Sequence, residues 1–85
     1  SQLSDMDRTR LRWRARRGLL ENDLMLTKYL DTYESALTDV DVSALTQLFE
    51  LGDNELLDLL LSRIEPVGAL DRPAVHAVLA NIRAL

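Results

Sequence analysis

The spacing that looks most chemical in this chain is Arg17-Gly18-Leu19-Leu20-Glu21. It sets a guanidinium and a carboxylate on either side of one sharp turn. A guanidinium is a planar, permanently charged fork that matches phosphate and carboxylate. The glutamate has an ordinary structural reason as well. With Gly18 as the N-cap of a helix, Glu21 falls at the third helical position. There it reaches back to a free backbone N–H and faces the positive helix end. Two readings therefore stand side by side: plain helix punctuation, and a compact set of donors and acceptors offered to a partner.

The surroundings of this stretch are divided by charge. Residues 1–20 carry six arginines against Asp5 and Asp7, a net +4, and residues 21–85 carry twelve acids against Lys28, Arg63, Arg72 and Arg83, a net −8. A basic arm on an acidic body implies an anionic partner for the arm, and the body argues against wrapping nucleic acid over the whole surface. On a helix, Arg8, Arg12 and Arg16 form one ridge, and Arg10, Arg14 and Arg17 a second. These ridges read either as a solvated face or as an anion-recognition surface. Trp13, set among them, reads either as a stacking platform for a base or a flavin, or as the anchor of the arm on the body.

Catalytic machinery is poorly supplied, and no enzyme is expected. The chain has no cysteine, which excludes disulfides, thiolate catalysis and cysteine-bound zinc. It has no phosphate-binding glycine loop, no nucleophile elbow and no metal-ligand spacing. The single histidine, His76, lies beside an apolar helical stripe with no neighbour to tune it as a base. Asp39, Asp41, Glu50, Asp53, Glu55 and Asp58 read as solvated helix surface. The longest leucine run is Leu59-Leu60-Leu61, far short of the ~20 apolar residues of a membrane span. The basic N-terminal stretch lacks an apolar signal core. A soluble cytoplasmic protein without a membrane span is expected.

Stepping outward to the elements, 85 residues with three glycines and two prolines predict a single all-α domain, a small bundle of about five short helices. A basic helix over about 5–17, capped by Ser4 or Asp5, precedes an acidic, leucine-rich bundle over 19–85. Leu11 and Ala15 share one face of the basic helix, so it rests on the body by a narrow seam. The second helix spans Leu19 to about Ser35, with Leu26, Leu30, Tyr33 and Leu37 inward. Asp41 caps the third, which runs through Leu51 with Val42, Leu45, Leu48 and Phe49 inward. Asp53 caps the fourth, which runs to about Ile64. That helix is apolar nearly all round, and so either central or partly a docking face. Pro73 opens a fifth helix with Val75, Val78, Leu79, Ile82 and Leu85 inward.

The stretch Trp13-Arg14-Ala15-Arg16-Arg17-Gly18-Leu19-Leu20-Glu21-Asn22-Asp23 resembles the signature of the SdhE-type succinate dehydrogenase assembly factors. Their pattern is Arg-Gly-x-x-Glu, usually followed one residue later by Asp, and Arg17, Gly18, Glu21 and Asp23 match it. Leu48-Phe49-Glu50-Leu51-Gly52-Asp53 is similar to the family's apolar-apolar-Glu-x-x-Asp segment. The resemblance covers roughly residues 8–83. The chain departs from it in having Leu59 near where the family often carries a tryptophan, and Asn22 where leucine is common.

The resemblance implies a chaperone-like assembly factor. Such a factor binds the flavoprotein subunit of succinate dehydrogenase, or of fumarate reductase, and promotes covalent attachment of FAD to it. No cofactor is then held stably, since the FAD acted on is the client's. Arg17, Gly18, Glu21, Asp23, Arg14, Arg16 and Trp13 are the expected partner-binding residues. Gly18 would permit close backbone approach, and Arg14 and Arg16 would steer an acidic or phosphate-bearing partner. The competing expectation is a nucleic-acid-binding or toxin–antitoxin regulator that uses the arginine-rich helix.

Overall fold

The computed structural model describes residues 4–15 and 19–85. Five α-helices and two short 3₁₀ turns make up the fold, with no strand among the described residues. The helices are α1 (Asp5–Ala15), α2 (Leu20–Tyr33), α3 (Asp39–Phe49), α4 (Asp53–Leu60) and α5 (Pro73–Arg83). The 3₁₀ turns are Glu34–Ala36, after α2, and Gly68–Leu70, before α5. The all-α class and the five-helix count agree with the sequence expectation.

Four of the five helices begin for a local chemical reason. The Ser4 hydroxyl accepts the Asp7 backbone N–H at 3.2 Å, so Ser4 caps α1 as expected. The third helix starts earlier than expected. Thr38, not Asp41, is its cap: the Thr38 hydroxyl accepts from the Asp41 N–H at 3.3 Å, and the Asp41 carboxylate accepts from the Thr38 N–H at 3.0 Å. Asp41 is thus the acidic half of a capping box. In α4 the cap is Gly52, in extended conformation, and Asp53 is the first helical residue. Pro73 opens α5 at the position where a missing N–H is harmless.

The end of α4 also differs from the expectation. The helix stops at Leu60, not Ile64, because Ser62 takes the left-handed conformation at φ 63°. The Arg63 N–H bonds back to the Asp58 carbonyl at 2.8 Å and the Ser62 N–H to that of Leu59 at 3.2 Å. This is a Schellman turn built on serine in place of the usual glycine. Arg83 reinforces it from α5. Its Nε and one terminal nitrogen donate to the Leu59 carbonyl at 3.0 and 2.6 Å, while the other reaches Glu65 at 3.1 Å.

The core is aliphatic. Leu26, Tyr29 and Leu30 of α2 meet Ala44, Leu45, Leu48 and Phe49 of α3, Leu56, Leu59 and Leu60 of α4, and Val75, Val78, Leu79 and Ile82 of α5. Tyr29 and Tyr33 stack at a tilt, their ring centres 5.1 Å apart. Central placement belongs to α2, which touches α1, α4 and α5, and to α5, which touches α2, α3 and α4. The fourth helix, expected to be either central or partly a docking face, packs on α2 and α5 and leaves Leu61 exposed at its end. Leu85, expected inward, lies past the end of α5 and is exposed. Tyr33 and Val42 are only half-buried.

Candidate functional site

Of the seven residues expected to meet a partner, Arg16, Arg17 and Gly18 lie outside the described residues, as does the expected stop of the first helix. Trp13, Arg14, Glu21 and Asp23 are described, and they sit on the two helices that flank that stretch.

Glu21 stands one position earlier in its helix than expected. The N-cap of α2 is Leu19, with extended backbone (φ −96°, ψ 114°) and no side-chain cap bond. Glu21 is therefore the second helical residue and not the third, and Gly18, expected as the cap, lies outside the described residues. Its carboxylate is exposed in the first turn, where the positive end of the helix favours it. Asp23, one turn in, donates its backbone N–H to the Leu19 carbonyl at 3.0 Å.

The structure brings Trp13 and Asp23 together and sets Arg14 apart from them. A groove of about 510 Å³ between α1 and α2 is lined by Thr9, Arg12, Trp13, Asp23, Thr27 and Leu30. The Trp13 ring forms part of its rim and is 69% exposed, so the indole does not anchor α1 in the core. That task falls to Leu11 and Ala15, both 4% exposed. Arg14 lines a second groove of about 330 Å³, against α3, with Asp7, Arg10 and Asp39.

Two residues to which the sequence analysis gave no part in the site organise this region. The first is Arg12. Its Nε donates to Glu34 at 2.7 Å and a terminal nitrogen to Asp31 at 2.9 Å, which clasps α1 to the far end of α2. The hydrogen bond to Glu34, helped by Asp31, outweighs desolvation and holds the guanidinium above its ordinary pKa. Arg12 is thus spent inside the molecule, and part of the arm's charge is not available to an outside anion. The three-residue spacing of Asp31 and Glu34 sets both on one side of the chain at the end of α2, but nothing in that spacing names Arg12 as their partner.

The second is Asn22. It is 0% exposed, and its Nδ2 donates to the Asp53 carbonyl at 3.0 Å. Its Oδ1 is buried without a partner among the described residues. Asn22 follows Glu21 and Asp53 closes the second segment of the resemblance, so one hydrogen bond ties the two segments that carry it. The amide stands where the resembled family commonly has leucine, and it buries a polar group in order to join the starts of α2 and α4.

Among the described residues no group of three or more metal-ligating side chains converges. His76 is exposed and pairs with Asp71 at 2.8 Å across the start of α5. No described helix is long and apolar enough to cross a membrane.

Comparison with known proteins places the whole described fold in context. Residues 9–85 match the family described as "Flavinator of succinate dehydrogenase". The chain is 63% identical to the FAD assembly factor SdhE of Ralstonia nicotianae, over 92% of this chain and 82% of that protein. It is 33% identical to the FAD assembly factor SdhE of Legionella pneumophila strain Paris, over 75% of this chain and 81% of that one. With the protein of the same name from Pseudomonas aeruginosa it shares 30% identity over 87% of this chain and 88% of that one. No solved structure matches.

Proposed function

Because the chain belongs to the family of flavinators of succinate dehydrogenase, we propose that it is a cytoplasmic assembly factor, not an oxidoreductase, that binds the flavoprotein subunit of that enzyme and promotes covalent attachment of FAD to it. The observation that carries this reading is the match itself. It runs from Thr9 to the end of the chain and so includes both segments joined by the Asn22–Asp53 hydrogen bond. The flavoprotein of fumarate reductase, with its similar task, is a second client.

FAD is here the client's cargo, and its ring supplies the electrophile that a client histidine attacks. What the assembly factor contributes is proximity, orientation and a field that favours the charge developing on the ring. Glu21 offers an exposed carboxylate at the start of α2. Arg17 and Gly18, four and three positions before it in sequence, complete the contact with the flavin domain of the client. Arg14 and Arg16 steer the acidic or phosphate-bearing partner into place. Trp13 and Asp23 share the adjoining groove and extend the contact toward α1.

A regulator that binds nucleic acid is less well supported. Arg12 is committed to Glu34 and Asp31, and the body beneath the arm carries −8. A phosphate backbone would therefore meet fewer free cations than the sequence suggests, and more repulsion.

The test mixes the protein with purified apo-flavoprotein and FAD and scores covalent flavin by in-gel fluorescence. Wild type should accelerate labelling, and Arg17→Ala and Glu21→Ala should lose most of that acceleration. Equal labelling by both variants would remove these residues from the site. Steeply salt-dependent binding to DNA or RNA, with none to the apo-flavoprotein, would replace the reading altogether.

A further inference from the structure

Four of the exposed apolar side chains, Leu20, Leu24, Leu61 and Leu85, lie on or beside one groove. Leu20 and Leu24 lie four residues apart on α2, 67% and 62% exposed, so they form one stripe that begins beside Glu21. The stripe leads into an open groove of about 430 Å³ between α2, the end of α4 and the end of α5. Leu60 and Ile82, both buried, form its floor. Leu24, Leu61 (44% exposed) and Leu85 (41% exposed) form its rim.

One cation stands on that rim. Lys28, the single lysine of the chain, is one turn beyond Leu24. It is exposed, and its ammonium makes no ion pair or hydrogen bond among the described residues. The other cation at the groove, Arg83, is committed to the Leu59 carbonyl and Glu65. Between residues 21 and 85 acids outnumber bases by twelve to four. An unpaired lysine beside an apolar groove on such a body is thus a local reversal of sign, and it selects a partner carrying the opposite charge.

We infer that this groove is a second contact surface for the flavoprotein client, taking a large apolar side chain whose neighbour on the client is a carboxylate that meets Lys28. The apolar side chain fills the space above Leu60 and Ile82. The carboxylate fixes its register. Since the stripe starts at Leu20, next to Glu21, one face of α2 carries both the motif contact and the groove. The client is then held at two points about two helical turns apart, which sets its orientation as well as its proximity. This inference rests on the proposed function.

The experiment measures affinity for the apo-flavoprotein subunit of succinate dehydrogenase by titration calorimetry, alongside in-gel flavinylation. Lys28→Glu should weaken binding roughly tenfold, since it sets like charges together at the contact. Leu24→Asn and Leu61→Asn should each weaken it several-fold, while Val40→Asn, exposed on α3, should leave it unchanged. All four positions are exposed, so melting curves should match wild type and separate binding from folding. Wild-type affinity in Lys28→Glu and Leu24→Asn, with flavinylation by wild type intact, would overturn the groove and leave the function standing. A wild-type protein that neither binds nor flavinylates would overturn both. Self-association by sedimentation that Leu24→Asn abolishes, with client binding untouched, would assign the groove to a second copy and also overturn the inference.

Discussion

Replacing Arg12 by alanine should release the first helix while leaving the rest of the bundle folded. An isolated helix of 11 residues is marginal in water, so docking decides whether α1 is helical at all. Its apolar contribution is small, because only Leu11 and Ala15 are buried. A buried leucine is worth about 1.5–3 kcal/mol and a methyl group somewhat under ~1 kcal/mol. The Arg12 clasp adds two charged hydrogen bonds. Such bonds reach about 1.5–3 kcal/mol when enclosed and about 0.2–1 kcal/mol when exposed. The Arg12 side chain is 38% exposed and that of Asp31 63%, which puts this arm near the bottom of the range. Glu34 is 18% exposed and the closer of the two, so its arm is worth more. Together they contribute roughly 1–1.5 kcal/mol, about a third of what holds α1 down.

That loss is a five- to tenfold rise in the population with α1 undocked. Amide hydrogen exchange reads it residue by residue: protection over residues 9–15 should fall by roughly that factor, with the amides of α3 and α5 unchanged. Glu34→Ala should reproduce most of the effect and Asp31→Ala little of it. Salt at about 0.5 M should act mainly on the exposed Asp31 arm, because exposed pairs are screened most. Unchanged protection in Arg12→Ala would refute the clasp. An equal loss of protection in every helix would show that α1 does not open on its own.

Three further outcomes follow from the same geometry. Ser62→Gly should stabilise the protein by roughly 0.5–1 kcal/mol, since it removes the left-handed cost of a side chain at φ 63°; a lower urea midpoint would contradict this. Burial pushes the Tyr29 hydroxyl from 10.0 up to about 12, so the folded state holds that proton more tightly than the unfolded one. The stability this gives is complete below pH 10 and is lost between pH 10 and 12, at ~1.4 kcal/mol per pH unit. Tyr29→Phe should flatten that part of the curve in urea titrations at pH 9 and 11, and an equal fall in both proteins would remove Tyr29 as the cause. Asn22→Asp, nearly isosteric, turns the donor to the Asp53 carbonyl into a buried charge facing it, and should cost about 2–4 kcal/mol in thermal or urea unfolding.

The helices were legible because their signals are local. Glycine, proline and serine at helix boundaries and a 3.6-residue apolar period were enough to count five of them. The boundaries slipped where a polar residue had two roles open to it. Asp41 and Asp53 are both good caps, yet each is already inside its helix, because Thr38 and Gly52 before them adopt the extended backbone that a cap requires. Ser62 ended α4 early through a left-handed conformation that sequence reasoning reserves for glycine. Of the two readings open for Trp13, the anchor is removed by its exposure: the seam facing the body admits only Leu11 and Ala15.

What the sequence could not disclose about the site is which of its charges are free, because that depends on pairings between residues 19 and 31 positions apart. Arg12 looked like one more member of a recognition ridge, but Glu34 and Asp31 neutralise it. Asn22 looked like a departure in packing, and it is the hydrogen bond that joins the start of α2 to the start of α4. The consequence for function is a division of labour along α2. Its far end spends its acids holding the arm, its buried face fixes the second segment, and its exposed face is left with Leu20, Glu21, Leu24 and Lys28. A helix fastened in this way can present an apolar stripe with one charge of each sign in a fixed orientation, which is what the proposed assembly role asks of the surface that meets the client.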